Sequence, residues 1–331
     1  MAVNEMKRDL NDKLAANLRE WMTPDQPYLV AVSGGRDSMA LLHFLKTAGY
    51  EDLVVGHVNH CLRGDESNTD EALVIETAEE LGLPVFSTRI EVKAVAAERK
   101  LSIETAAREV RYAWFAKVAT DQDCRRVVTA HHAEDQVETV LINLFRGSGS
   151  RGISGMERHS CREVDGIGLE LFRPLLEVDR ARIDAYVQRQ GIAFREDSSN
   201  AGAFALRNRV RHRLLPEVES IFGRDVKGAV LRAADLARKD EAWMQTTVGD
   251  LALRLADGLD VKRLRELPEA LRDRLLIDWL REHGVPDCGF DEVARVVEVA
   301  ISTDRPAKLS LPGDFHVRRR EGVLFLEPPG E

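Results

Sequence analysis

The sequence predicts an α/β fold: a doubly wound parallel sheet, then a helical linker and a smaller α+β C-terminal domain. Three observations predict it. Short β-branched runs alternate with helix-period stretches through the first half of the 331-residue chain. Those runs are nearly continuous in apolar residues, as strands covered on both faces are. A glycine pair follows the first run, at the strand end where doubly wound sheets bind ligands.

The elements follow in order. YLVAV (Tyr28–Val32) precedes an amphipathic stretch from Asp37 to Lys46, and LVVGHV (Leu53–Val58) precedes Asn68–Leu81. PVFSTRI (Pro84–Ile90) precedes Glu104–Thr120, and RRVVTA (Arg125–Ala130) leads into Ala133–Phe145. Each pair switches from a strand run to the 3.6-residue helical period, the mark of a βα unit. RGSGSRGISG (Arg146–Gly155), with four glycines and three serines, reads as a mobile loop. A helix is expected around Asp179–Gln190 and a turn at EDSSN (Glu196–Asn200). From Glu217 to about Leu255 the pattern is wholly helical, and from about Gly258 helices mix with a terminal strand pattern. The reading is an α/β domain over 1–216, a helical linker over 217–257 and a smaller C-terminal domain over 258–331. A chain of this length is comfortable for two cores.

Composition narrows the class. With 44% hydrophobic and 31% charged residues the chain reads as globular, and no apolar run approaches the roughly 18 residues of a membrane span. The first 21 residues interleave charges with apolar residues, unlike a secretion signal, so a cytoplasmic location without membrane contact is expected. Cys61, Cys124, Cys161 and Cys288 form no CxxC pair, which argues against a zinc ribbon or an iron–sulfur cluster. The net charge of −9 gives no general support for a nucleic-acid partner. Local basic segments do: FALRNRVRHRL (Phe204–Leu214) carries Arg207, Arg209, Arg211 and Arg213 without an acid, Arg318–Arg320 form a second cluster, and the 146–162 segment is rich in Gly and Arg. Such patches on an acidic body suit RNA gripped at defined places.

The chemistry concentrates in two segments. Ser33, Gly34, Gly35, Arg36, Asp37 and Ser38 lie between the first strand and the first helix. Glycines there free backbone N–H groups, and the helix end adds positive potential, which together make an anion site. Neither GxxxxGK[ST] nor GxGxxG is present. The plainer reading is a tight turn with Asp37 as helix cap. In the Ala133–Phe145 helix, Asp135 and Glu138 share one face at 100° per residue. Val137, Val140, Leu141 and Leu144 form the opposite, core-facing stripe. The two carboxylates thus project beside the expected ligand, although Asp135 also suits a first helical turn. His57, His60, His131 and His132 read as strand-end histidines or as a zinc set.

SGGRDS after an N-terminal strand resembles the PP-loop of the ATP pyrophosphatase superfamily, whose fold is adenine nucleotide alpha hydrolase-like. Further stretches resemble the tRNA(Ile)-lysidine synthases within it: HVNHCLR (His57–Arg63), AREVRY (Ala107–Tyr112), TAHHAEDQVET (Thr129–Thr139), and EDSSN with the downstream RN (Arg207–Asn208) and LLP (Leu214–Pro216). Glu134 departs from the family's usual Asp. Beyond Pro216 the resemblance thins to LPGDFHVRRR (Leu311–Arg320), and the second C-terminal domain of longer members is not recognised.

The resemblance implies ligation of L-lysine to C2 of the wobble cytidine in the CAU anticodon of an isoleucine tRNA. An adenylated cytidine is the intermediate, and ATP yields AMP and pyrophosphate. The product, lysidine, changes codon reading from AUG to AUA and charging from Met to Ile. The implied cofactors are ATP, on residues 33–38, and Mg2+, with Asp37 as its ligand. Asp37, Arg108, Arg111, His132, Asp135 and Glu138 are the implied catalytic residues; Arg108 or Arg111 suits the α-phosphate. Asp135, Glu138 and Arg207 would bind lysine, the carboxylates its ammonium and Arg207 its carboxylate. The oligomeric state stays open, a homodimer included. The alternatives are a PP-loop tRNA thiolase, which commonly uses the paired cysteines absent here, and a non-catalytic tRNA-binding module.

Overall fold

The computed structural model describes residues 14–15, 17–196, 206–250, 254–255, 258–286, 288–302 and 308–330. Two compact units divide the chain, Met1–Asp235 and Leu236–Glu331.

In the first unit, β1 (Tyr28–Ala31), β2 (Leu53–Asn59), β3 (Val85–Arg89), β4 (Arg126–Val128), β5 (His159–Val164) and β6 (Ile167–Phe172) form one sheet in the order β3-β2-β1-β4-β6-β5. Every neighbouring pair is parallel except β5 with β6, an antiparallel edge hairpin that strand periodicity did not reveal. Five helices alternate with these strands: α1 (Arg36–Thr47), α2 (Asp65–Glu80), α3 (Val92–Arg99), α4 (Ile103–Asp121) and α5 (Ala133–Phe145); α6 (Arg180–Gln190) follows the hairpin. The doubly wound fold expected from the sequence is therefore present. Strand order reverses between β1 and β4, so the crevice at their carboxyl ends is the switch point where such sheets bind ligands.

The central strand β1 is apolar throughout because alternate side chains enter different cores. Tyr28 and Val30 of β1 pack with Met39, Leu42 and Tyr186, whereas Leu29 packs on the other face with Tyr112, Phe115 and Val127. Gly56 in β2 lets α4 seat closely: a Cβ there would meet Leu29 at 3.0 Å and Phe115 at 3.3 Å.

Three local expectations change. Leu144, expected in the buried stripe of α5, is 48% exposed, because that stripe runs out at the helix's last turn, after Ile142. The segment 146–155 contains a short helix, Ser150–Ile153, tied down by Asn143 Nδ2 donating to Gly152 O at 2.8 Å. The uninterrupted helix expected from Glu217 is broken after α7 (Leu215–Phe222), where Gly223 takes φ +62°, and resumes as α8 (Lys227–Asp250). Asp197 to Asn200, Phe204 and Ala205 lie outside the described residues.

In the second unit, β7 (Arg254–Leu255), β8 (Gly258–Asp260), β9 (Lys308–Ser310), β10 (His316–Arg320) and β11 (Val323–Glu327) form an antiparallel sheet ordered β7-β8-β11-β10-β9. α9 (Val261–Glu266), α10 (Glu269–Glu282) and α11 (Phe290–Ile301) complete a core around Leu259, Trp279, Val296, Val317 and Leu324. No helix among the described residues is long and apolar enough to cross a membrane.

Candidate active site

A cavity of about 730 Å³ opens at the switch point of the first unit. Its wall includes Ser33, Gly35, Asp37 and Ser38 after β1, His57 and His60 at the end of β2, Arg108 and Arg111 of α4, His131 after β4, and Arg173 after β6. Five elements therefore send their functional ends to one place.

The 33–38 loop is a closed hydrogen-bonded turn. Ser38 Oγ donates to Gly35 O at 2.9 Å and accepts from Ser33 N at 3.0 Å, while Gly35 N donates to Ser33 Oγ at 3.3 Å. Gly34 takes φ +84°, a conformation that favours glycine. Arg36 differs from its expected place. Its guanidinium donates to Asp184 and Glu196, both at 2.7 Å, and stacks over Phe194 at 4.7 Å. It is not part of the cavity wall. Two carboxylates and a ring outside the loop hold its charge, which no phosphate-loop pattern reveals.

Asp37 and His132 meet at the floor. His132 is 2% exposed, and three carboxylates surround it: Asp37 at 3.6 Å and Asp135 at 3.5 Å from Nε2, and Glu134 at 3.0 Å from Nδ1. Burial disfavours the imidazolium, but the bonds to Asp37 and Glu134 and the charges of Asp135 and Asp37 outweigh it and raise the pKa to about 10. Burial likewise raises the Asp37 carboxyl, and the His132 bond with the charges of His132, Arg180 and Arg36 brings it below the ordinary range. Asp37 is thus a carboxylate, and its Oδ1 is buried without a hydrogen-bond partner among the described residues. That orphaned oxygen fits a cation ligand. Glu134, the departure from the family motif, instead accepts Arg180 N at 3.1 Å, at the start of α6. Among the described residues no three His, Cys, Asp or Glu side chains group as a metal cluster.

Asp135 and Glu138 do share a face of α5, and Arg211 bridges them. Arg211 Nε donates to Glu138 Oε1 at 2.5 Å and Nη2 to Asp135 Oδ1 at 3.2 Å. Asp135 Oδ2 also accepts His132 N at 3.0 Å, capping the helix. Burial raises the Glu138 carboxyl; Arg211 opposes the shift without cancelling it, and Oε2 of Glu138 is buried without a hydrogen-bond partner among the described residues. Neither carboxylate belongs to the cavity wall as it stands. Arg211 lies in a five-residue π-helical stretch, Val210–Leu214, of the kind that recurs at functional sites. The acid-free arginine run pointed to this segment, but which arginine meets the carboxylates was not legible. Arg207, expected beside lysine's carboxylate, lies in the cavity wall with Nε 3.9 Å from Glu104.

The opposite wall is cationic. Arg108 stacks on Tyr112 at 5.2 Å, and the ring also receives Arg162 at 4.3 Å. Among the described residues no carboxylate is ion-paired with Arg108 or Arg111. Arg173, which sequence reasoning missed, is 6% exposed and donates to Glu157 O at 2.7 Å and Ser160 Oγ at 3.0 Å. Its place directly after β6 was the available signal. These charges act on the histidines. Burial first, then Arg173, Arg207, Arg111 and Arg108, lowers His131 to about 3; burial, Arg111 and His57 lower His60 to about 4. Both rings are neutral at pH 7.

A pH dependence follows. Below about pH 6.5 the unfolded chain protonates these histidines and the folded chain does not, so stability falls as pH drops. His131 alone is expected to contribute a loss of about 2 kcal/mol between pH 7 and pH 5. Urea unfolding should show a smaller loss over that interval for His131→Gln than for the parent chain.

In the second unit the Arg318–Arg320 cluster divides by strand alternation. Arg319 turns inward, donating to the carbonyls of Ala300 and Ser302 at the end of α11. Arg318 pairs with Glu327 at 2.7 Å and Arg320 with Glu321 at 3.4 Å, on the outer side. If the outer pair contacts RNA phosphates, Arg318→Ala/Arg320→Ala should flatten the log–log salt dependence of tRNA binding by roughly 1.4–1.8. Arg319→Ala should leave that slope unchanged and destabilise the unit by about 1 kcal/mol. Filter binding across a salt series and thermal melts check both.

Comparison with known proteins agrees with this geometry. The family model of the PP-loop domain, an ATP-binding family, matches residues 6–218, and that of the TilS substrate binding domain matches residues 259–325. A tRNA(Ile)-lysidine synthase of Geobacter sulfurreducens is 38% identical over 310 residues, covering 89% of this chain and 64% of the relative. One of Porphyromonas gingivalis is 36% identical over 335 residues, covering 98% of this chain and 70% of the relative. The chain thus spans about two thirds of these relatives' length. Among solved structures, the U34-tRNA thiolase NcsA of Methanococcus maripaludis, with its [4Fe-4S] cluster, aligns at a TM-score of 0.52 with 12% identity, covering 69% of this chain and 79% of that one; this is a likeness of fold. With a PP-loop on the first strand and homology extending through the C-terminal unit, the chain belongs to the tRNA(Ile)-lysidine synthase family.

Proposed function

We propose that this chain ligates L-lysine to C2 of a wobble cytidine in a CAU-anticodon isoleucine tRNA, through an adenylated cytidine. The observation that carries the reading is the meeting, in one cavity, of the 33–38 loop, the orphaned Asp37 oxygen and the Arg108–Arg111 wall, with the Asp135–Glu138 pair beside it.

The loop's N–H groups and serine hydroxyls receive the ATP phosphates. Asp37 would hold Mg2+, which would neutralise part of the phosphate charge. The free Oδ1 of an ionised Asp37 would otherwise repel the phosphates. The cytidine C2 oxygen attacks the α-phosphorus and the bond to the pyrophosphate oxygen breaks. Arg108 and Arg111 stabilise the charge developing on the α-phosphate. His132 does not titrate near neutrality; its role is to orient Asp37 and Asp135.

In the second step the ε-amine of lysine attacks C2, the C2–oxygen bond breaks and AMP departs. With a reference pKa near 10.4, neutral lysine costs roughly 4–5 kcal/mol at pH 7. Asp135 and Glu138 bind the ammonium, taking over contacts that Arg211 makes in this structure. Glu138, its carboxyl raised by burial, is the better acceptor of the proton released in the attack. Arg207 binds the lysine carboxylate.

Mass spectrometry of unmodified isoleucine tRNA incubated with the chain, ATP and lysine tests the reading. Cytidine gaining lysine with loss of water supports it. Sulfur gain, or no change alongside intact tRNA binding, overturns it in favour of a thiolase or a binding module.

A further inference from the structure

We propose that Asp70 is a positioning residue for the phosphate loop, acting from α2 through Arg195. The carboxylate is 8% exposed and both its oxygens are engaged. Oδ1 accepts from Arg195 Nε at 2.9 Å, and Oδ2 accepts from Arg63, a residue of the cavity wall. Arg195 in turn donates its backbone N–H to Gly34 O at 3.0 Å, and a parallel bridge joins it to Gly35. Asp70 also backs directly onto the turn: a Cβ on Gly34 would stand 3.1 Å from Asp70 O and 3.3 Å from Asp70 Cβ.

The consequence is directional. In a trans peptide the carbonyl and the following N–H point opposite ways. Holding Gly34 O back against Arg195 therefore aims Gly35 N–H away from Arg195, on the side where it meets Ser33 Oγ, and both Ser33 and Gly35 belong to the cavity wall. Within the loop, Gly35 N–H donates to Ser33 Oγ, but none of the bonds among Ser33, Gly35 and Ser38 holds the Gly34 carbonyl on the other side of that peptide. Asp70 and Arg195 secure it, from two segments 125 positions apart in sequence. The same carboxylate neutralises Arg63 and Arg195 together, which keeps the two guanidiniums from repelling each other beside the loop.

The inference rests on reading the 33–38 loop as the ATP phosphate site, and its test separates the two. Asp70→Ala, Arg195→Ala and the double variant are compared in the full chain by tRNA-dependent pyrophosphate release. Each single change is expected to raise the KM for ATP roughly 10- to 100-fold while leaving the KM for lysine unchanged. Because the two side chains act as one unit, the double variant should be no worse than the more severe single one. A purely architectural role would lower the melting temperature without moving the KM for ATP. Arg195, with a side chain 41% exposed, tolerates truncation and carries the test if Asp70→Ala fails to fold. An unchanged KM for ATP in Arg195→Ala, or fully additive effects in the cycle, overturns the proposal alone. Absence of pyrophosphate release by the unaltered chain overturns the phosphate-loop reading and this proposal with it.

Discussion

Asp37→Asn is expected to reduce tRNA-dependent pyrophosphate release about 10²–10³-fold, the range for removing one preorganised electrostatic contact to a developing charge. The fold should survive, because the 33–38 turn is closed by Ser33 and Ser38 rather than by Asp37. The amide keeps the shape of the side chain and loses the charge that the orphaned Oδ1 would offer a cation. His132 loses one of its three carboxylates but keeps Glu134 at 3.0 Å and Asp135 at 3.5 Å, so the floor of the site is retained. Raising Mg2+ should restore part of the rate if a weakened metal contact is the cause. Turnover equal to the parent at every Mg2+ concentration would remove Asp37 from the phosphate site.

Asp135→Asn is expected to separate the two half-reactions. Asp135 is the N3 partner of a capping box, and an asparagine amide oxygen there can still accept the bond from His132 N that starts α5. What disappears is the charge shared with Arg211 and, in the proposed reaction, with the lysine ammonium. A hydrogen bond to a charged group is worth about 1.5–3 kcal/mol, or roughly 10- to 150-fold in lysine affinity. Pyrophosphate release should persist, since the phosphate loop is untouched. Rapid-quench measurement of pyrophosphate and lysine incorporation in one reaction reads both steps. Joint loss would place Asp135 with the ATP phosphates, and loss of neither would leave it as the cap of α5.

Much of this protein is local and therefore legible in its sequence. The βα alternation, the turn at Gly34 and the shared face of Asp135 and Glu138 follow from periods of two and 3.6 residues and from glycine's access to positive φ. The switch point follows nearly as directly, because a phosphate-type loop on the first strand implies a crevice beside it. Local pattern also reached its limits inside single elements, as with Leu144 at the end of α5 and the break at Gly223.

The partners of the charged residues were a different matter. An arginine's position along the chain leaves its guanidinium free to reach any carboxylate within several ångströms, and folding decides which one arrives. Arg36 left the phosphate loop for Asp184, 148 positions away, and Arg211, for which the sequence named no carboxylate, settled on Asp135 and Glu138. Strand alternation was enough to turn Arg319 inward, yet only the packed α11 supplied the carbonyls it holds. The sequence by itself determined which segments gather at the switch point and which residues share a face of each element. Only the tertiary structure decided which charges neutralise one another, because side-chain ion pairs form between elements that periodicity describes one at a time.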